Sequence, residues 1–312
     1  MEAVADYIKS MQKQHYKVIG KHSHSAAKLC LWTKKSIKGR GYCYKQAFYG
    51  IESHRCLQMT PNVYCPLRCV FCWRTWEHEP INYAPEEWDE PKEIIEQSLL
   101  AQRKLLSGLG GLAEADKKKF KEAQEPNQIA ISLDGEPTMY PFLGELIKEY
   151  NKRATTFLVT NGVFPERLGQ LEQLPTQLYL SLYGPDKQTH QKTNAPLTKD
   201  SWEKLNQSLS LFPSLKTRKV IRLTLVKGIN MKEPEKYAEL IKKAQPDFIE
   251  AKGYMFVGGS RQRLSIANMP MHEEILNFAN ELNKTLGYTI IGEKKDSRVV
   301  LLSSGEKDAK IR

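Results

Sequence analysis

Short apolar runs of about four to eight residues alternate with longer amphipathic stretches, and the alternation repeats five or six times along the chain. That rhythm marks βα units, in which a buried strand is followed by a helix that covers it. It predicts strands at 57–63, 129–133, 155–160, 177–183, 219–226 and 248–255, and helices at 91–106, 141–153, 164–172, 200–211, 234–244 and 271–286. Right-handed crossovers make such strands parallel, place the helices outside and gather functional loops at the strands' C-terminal ends. The fold class is therefore α/β, an open partial (βα)6 barrel, with 288–292 and 297–302 as edge strands. Residues 1–56 read as a basic N-terminal extension, 57–302 as the barrel and 303–312 as a polar tail. The glycines and Lys117–Lys119 of 107–126 read as an exposed insertion.

Alternate residues of a barrel strand face the lumen. Arg222 and Thr224 share one face of the fifth strand, opposite Leu223 and Leu225, and Glu250, Lys252 and Tyr254 share a face of the sixth. Buried charges are costly unless paired, so a charged inner row implies a polar cavity in which Lys252 pairs with Glu250.

Composition narrows the setting. A chain of 312 residues with 40% hydrophobic content can bury a barrel core. It shows no run of roughly 18 apolar residues and no leader-like segment, so a soluble cytoplasmic protein is expected, away from membranes. The net charge of +11 is concentrated, since residues 1–50 hold ten Lys/Arg against two Asp/Glu. Tyr7, Tyr16, Trp32, Tyr42, Tyr44, Phe48 and Tyr49 interleave with that charge, a composition suited to phosphate contact and base stacking on RNA, or simply to a solvated basic face.

The six cysteines are Cys30, Cys43, Cys56, Cys65, Cys69 and Cys72. Cys65-x3-Cys69-x2-Cys72 follows the first strand and gathers three thiolates on one loop, leaving a metal position open. Structural zinc and two-cluster ferredoxins use other spacings, and disulfides do not suit a reducing compartment. Cys30, Cys43 and Cys56 stand at equal intervals of thirteen, which suggests a second three-cysteine cluster rather than three unrelated buried thiols. Downstream, Asp134-Gly135-Glu136-Pro137 offers a tight turn and a carboxylate, Thr160-Asn161-Gly162 ends the third strand, and Ser181 lies in the fourth. Asn-Gly is also an ordinary turn dipeptide.

The cysteine triplet after the first strand resembles the hallmark of the radical S-adenosylmethionine superfamily. That resemblance implies a four-iron, four-sulfur cluster on Cys65, Cys69 and Cys72, with the fourth iron chelated by the amino and carboxylate groups of S-adenosylmethionine. One electron from such a cluster cleaves the sulfonium to a 5′-deoxyadenosyl radical, the protein supplying position and exclusion of water. Gly135 and Glu136 match the superfamily's Gly-Gly-Glu element, with Asp134 in place of the first glycine, and Thr160, Asn161, Ser181 and Arg222 are the further cofactor contacts implied.

Both triads, the segment 221–230 and the stretch 250–258 are similar to the archaeal, single-domain tRNA 4-demethylwyosine synthases of that superfamily. The similarity implies two substrates, pyruvate and tRNA(Phe) carrying N1-methylguanosine beside the anticodon. It implies a second cluster on Cys30, Cys43 and Cys56 near which pyruvate is held, and a Schiff-base lysine matched by Lys45, with Lys252 as the alternative. Burial together with Lys38 and Arg40 is expected to activate the Lys45 amine. An external low-potential electron donor and a monomeric enzyme are also implied. Two rivals remain: another radical RNA-modifying enzyme, a methyl- or methylthiotransferase, and a non-catalytic metal-containing RNA-binding protein.

Overall fold

The computed structural model describes residues 2–79 and 87–311. Helix α1 (Glu2–Lys13), an antiparallel hairpin of β1 (Lys17–Ile19) and β2 (Ser25–Ala27), and the short helices α2 (Leu31–Ile37) and α3 (Tyr44–Tyr49) come first. β3 (Cys56–Thr60), α4 (Pro91–Leu106), α5 (Lys117–Glu122), β4 (Gln128–Ile131), α6 (Leu143–Asn151), β5 (Thr155–Thr160) and α7 (Pro165–Gly169) follow. Then come β6 (Gln177–Ser181), α8 (Lys187–Asn194), α9 (Ser201–Leu211), β7 (Arg218–Leu225), α10 (Pro234–Ala244), β8 (Phe248–Gly253) and α11 (His272–Leu286). The chain ends on β9 (Thr289–Lys294) and β10 (Val299–Ser303).

The sheet runs β1-β2-β3-β4-β5-β6-β7-β8-β10-β9, parallel from β3 to β8 and antiparallel at both flanks, so six parallel strands make an open barrel wall. α4 and α10 occupy the stretches 91–106 and 234–244 predicted from periodicity, and each begins with proline in its first turn, where the missing N–H costs nothing. α8 was not expected, because its sequence KQTHQKTN carries no apolar stripe.

Strand alternation divides the core in two. Leu57, Ile129, Leu158, Leu178, Leu180, Leu223 and Ala251 pack outward against the helices. Phe157, Tyr179, Val220, Phe248, Val299 and Leu301 point inward, where Tyr44, Phe48 and Tyr49 of α3 plug the lumen. Burying a ring such as Phe48 stabilises the plug by roughly 2–3 kcal/mol.

The segments outside the barrel are less independent than their composition suggests. The hairpin joins β3 within one continuous sheet, so the chain before residue 56 contributes strands as well as a plug. Five of the seven N-terminal aromatics, Tyr7, Tyr16, Tyr44, Phe48 and Tyr49, are buried in the core and cannot stack on RNA; Tyr42 remains 42% exposed. The 107–126 insertion is packed rather than free: Ala115 and Ala123 meet Leu29 and Ile37, and the Asp116 N–H donates to the Ile37 carbonyl at 2.8 Å. Nor is the tail merely polar, since Ala309 and Ile311 close the bottom of the lumen and the Ile311 N–H donates to the Tyr49 carbonyl at 2.9 Å. Among the described residues no helix is long and apolar enough to cross a membrane.

Candidate active site

Cys65, Cys69 and Cys72 lie on the irregular loop that follows β3, with Cys69 buried and the other two partly exposed. The loop is held by charge. Arg74 pairs with Glu79, reaches Asp134 through Nε at 3.3 Å, and donates to the carbonyls of Val63 (3.3 Å) and Leu67 (3.1 Å). Glu79 in turn accepts the Cys65 N–H at 3.0 Å and lies 3.5 Å from Arg68, whose guanidinium donates to the Cys65 carbonyl at 2.6 Å. Arg74, Glu79 and Asp134 are each under 9% exposed, so every charge needs its partner. Arg263, from the loop after β8, adds donations to the carbonyls of Val70 and Cys72. Neither Arg74 nor Glu79 was singled out in the sequence, where the only signal is two charges shortly after the last cysteine.

Burial pushes the Cys65 thiol up to about 12, and burial raises Cys69 and Cys72 as well. Three thiolates therefore form there only with a strongly cationic partner. Among the described residues neither triad brings its three sulfurs within 4.8 Å of one another. A zinc tetrahedron with Zn–S of about 2.3 Å needs sulfurs roughly 3.8 Å apart, closer than those of either triad stand here.

The polar loop ends of β4 and β5 converge on this site. Gly135 has φ +66°, and a Cβ there would stand 2.0 Å from the Asn62 carbonyl oxygen, so only glycine lets the turn lie against the chain entering Cys65. Asp134, in place of a glycine, accepts the Gly135 N–H at 2.8 Å while balancing Arg74. The Glu136 carboxylate is 1% exposed and fully engaged: it accepts from the Thr138 N–H (3.1 Å) and hydroxyl (2.6 Å), the Thr160 hydroxyl (2.6 Å) and the Asn161 N–H (2.8 Å). Its side chain and that of Thr160, also 1% exposed, brace the two loops. Asn161 turns its Nδ2–H toward Cys65 Sγ at 3.5 Å, a contact to sulfur where sequence reasoning expected one to a nucleoside.

The second triad is assembled from three elements. Cys30 and Cys43 are the N-caps of α2 and α3, and Cys56 is the first residue of β3. Neutral hydrogen bonds join them: Thr33 Oγ1 donates to the Ser53 carbonyl (3.0 Å), the Cys43 N–H to Ser53 Oγ (2.9 Å), the Ser53 N–H to Gln46 Oε1 (3.1 Å) and Gln102 Nε2 to the Cys56 carbonyl (3.3 Å). Burial raises all three thiols, Cys43 to about 12, and each of Cys43 and Cys56 is raised further by the neighbouring sulfur of Cys30.

Lys45, in the first turn of α3, is buried, with Nζ 4.5 Å from the centre of the Phe157 ring and 4.6 Å from that of Tyr179. Among the described residues no carboxylate or carbonyl holds its amine. Burial pushes the Lys45 ammonium down, Arg222 assists and Glu250 opposes. Lys38 and Arg40, expected to act on Lys45, instead face Glu114 at 3.3 and 3.5 Å. Lys252 is lowered to about 8, chiefly by burial, yet its Nζ donates to the Ser297 carbonyl at 2.7 Å and does not pair with Glu250. Glu250, fully buried, accepts from the hydroxyls of Tyr44 (2.9 Å) and Tyr49 (2.8 Å) and lies 3.9 Å from Arg222 Nε. Ser181 is buried beside Arg222 in register, and Tyr183 feels both Cys69 and Arg222. A line of electrostatic neighbours thus runs through the lumen from the first triad past Arg222 and Glu250 to Lys45 and Cys43.

Residues 59–241 match the family model described as the radical SAM superfamily, and 243–304 match that described as wyosine base formation. An S-adenosyl-L-methionine-dependent tRNA 4-demethylwyosine synthase of Pyrococcus abyssi is 53% identical over 95% of this chain and 88% of its own length. The enzyme of the same description from Methanocaldococcus jannaschii is 41% identical over 95% of both chains. A solved structure of TYW1 with a lysine-pyruvate adduct bound superposes with a TM-score of 0.89 at 39% identity, over 98% of each chain.

Proposed function

From the chain's membership of the radical S-adenosylmethionine tRNA 4-demethylwyosine synthase family, we propose that it joins two carbons of pyruvate to N1-methylguanosine of tRNA(Phe), forming 4-demethylwyosine. Cys65, Cys69 and Cys72 hold the 4Fe-4S cluster that, with S-adenosylmethionine, supplies a 5′-deoxyadenosyl radical for the methyl group of the base. Arg74, Glu79 and Asp134 fix the loop that presents those sulfurs; the Gly135-Glu136 turn meets the methionine amino group of S-adenosylmethionine, Arg222 its carboxylate, and Ser181, beside Arg222, its ribose or carboxylate. Cys30, Cys43 and Cys56 hold a second cluster beside the pyruvate.

Lys45 carries this reading. A buried amine with no acceptor among the described residues, set in the lumen beside the second triad, is suited to condense with a ketone, and a solved relative at 39% identity bears a lysine-pyruvate adduct. Lys252, already donating to Ser297, is less available. The packed unit of α2 and the 107–126 insertion, with Lys34, Lys35 and Lys117–Lys119 on it, meets tRNA phosphates, so affinity falls steeply with salt; a flat response would count against that surface. The enzyme works as a cytoplasmic monomer fed by an external low-potential electron donor.

The test is anaerobic reconstitution with iron and sulfide, reduction, and addition of S-adenosylmethionine, pyruvate and N1-methylguanosine-containing tRNA(Phe), followed by mass spectrometry of the digested RNA. A pyruvate-dependent tricyclic base with deoxyadenosine establishes the reaction. Deoxyadenosine with an unchanged base would sink the substrate assignment, and a methylated or methylthiolated product would favour the rival radical enzymes.

A further inference from the structure

Behind Cys69 lies a buried polar chain that nothing above uses. The Cys69 thiol donates to Asn194 Oδ1 at 3.6 Å, Asn194 Nδ2 meets His190 Nδ1 at 2.9 Å, and His190 Nε2 meets Ser201 Oγ at 2.7 Å. Asn194, His190 and Ser201 are each 1% exposed, so water offers no alternative partner. α8 is fixed over the loop: its last two carbonyls, of Thr193 and Asn194, accept the N–H groups of Val70 (2.9 Å) and Arg68 (2.8 Å), on either side of Cys69. Close packing fixes the other end, where a Cβ on Gly184 would stand 2.6 Å from the His190 nitrogen.

With Asn194 Oδ1 turned to the Cys69 thiol, as it is here, the polarity of the chain follows. Sulfur donates to Oδ1, Nδ2–H donates to Nδ1, and His190 must carry its proton on Nε2, donating to Ser201. A cluster thiolate has no proton to give, and an amide oxygen facing it would be repelled. A half-turn of the amide exchanges its two ends without changing its shape, and the Ser201 hydroxyl rotates to donate or accept equally well.

We propose that the chain from Cys69 to Ser201 reverses its hydrogen-bond direction when Cys69 becomes a cluster ligand, with His190 as the positioning residue that holds the Asn194 amide N–H on the sulfur. In the loaded state Nδ2–H donates to Cys69 Sγ, His190 Nδ1–H donates to Oδ1, and Ser201 donates to Nε2. An N–H bond to a cluster sulfur favours the more negative, reduced cluster and so raises its potential. Burial also lowers His190 to about 4, so the ring stays neutral at working pH and changes tautomer rather than charge.

The inference rests on Cys69 being a cluster ligand, and the tests separate the two. Ring nitrogen shifts of His190 in 15N-labelled wild-type protein, assigned against His190→Gln, should report protonated Nε2 in the apo protein and protonated Nδ1 after anaerobic loading; one tautomer in both states overturns the proposal. The midpoint potential is then read by EPR from the signal that responds to S-adenosylmethionine. Asn194→Asp and His190→Phe should both shift it to more negative values, while His190→Gln, whose amide can still donate to Oδ1, should keep the wild-type midpoint. An unchanged midpoint in Asn194→Asp with full iron content overturns the proposal, and iron-loaded protein with no S-adenosylmethionine-responsive signal overturns the ligand reading beneath it.

Discussion

The two cysteine triads are built by opposite means. Cys65, Cys69 and Cys72 share one loop that has little regular structure of its own, and it keeps its shape through Arg74, Glu79, Asp134 and Arg68. Cys30, Cys43 and Cys56 are far apart in the chain, stand at the starts of α2, α3 and β3, and are brought together by packing and neutral hydrogen bonds. A contiguous ligand set on an irregular loop adds an ionic clamp to the small apolar cluster of Leu67, Cys69 and Val163 beneath it. A dispersed set inherits its geometry from the fold, and the fold can then place a further residue, Lys45, among the ligands.

The largest effect should come from removing one sulfur of each triad. Cys69→Ala is expected to abolish deoxyadenosine formation, whereas Cys56→Ala should leave deoxyadenosine formation in place and lose the tricyclic base, both followed by chromatography of the same reaction. Loss of deoxyadenosine in both variants would erase the distinction. Next in size is the ionic clamp. Arg74→Met leaves Asp134 buried without its ion-pair partner and Glu79 with only Arg68 at 3.5 Å, and urea unfolding of the apo protein should show a loss of about 3–5 kcal/mol.

A smaller effect is confined to the first triad's support and depends on pH. His190 is lowered to about 4 in the folded protein against about 6.5 unfolded, so its contribution is fully present above about pH 6.5 and is lost as pH falls toward 4, where the unfolded chain takes up a proton that the native ring refuses. Between pH 7 and 5 this group should cost the wild type about 2 kcal/mol, a loss absent in His190→Gln, again by urea unfolding. Thr33→Val, which removes one neutral bond from the second triad's lattice, should cost only about 1 kcal/mol. If Thr33→Val cost as much as Arg74→Met, the contrast between clamp and lattice would fail.

The same contrast explains what the sequence made legible. The first triad is read directly because its ligands are contiguous, and the barrel because βα periodicity is local; α4 and α10 match their predicted limits. The clamp was not legible, since nothing in the order Arg74, Glu79, Asp134 says that they meet. The equal spacing of Cys30, Cys43 and Cys56 pointed to a set, but the surrounding aromatics were read as an RNA surface. Tyr44 and Tyr49 turn inward and donate to Glu250, because a basic, aromatic segment looks the same whether its rings face solvent or plug a barrel. α8, with its His190 and Asn194, escaped notice because it is polar throughout and is held by the loop it supports.

The most direct test of the division of labour is to incubate the reconstituted protein with 13C-labelled pyruvate, reduce with borohydride, and map the labelled peptide by mass spectrometry. The expected result is a pyruvate-derived mass on Lys45, retained in Lys252→Ala and lost in Lys45→Ala. Label on Lys252 instead, or its persistence in Lys45→Ala, would contradict the assignment of pyruvate to the dispersed triad's lysine.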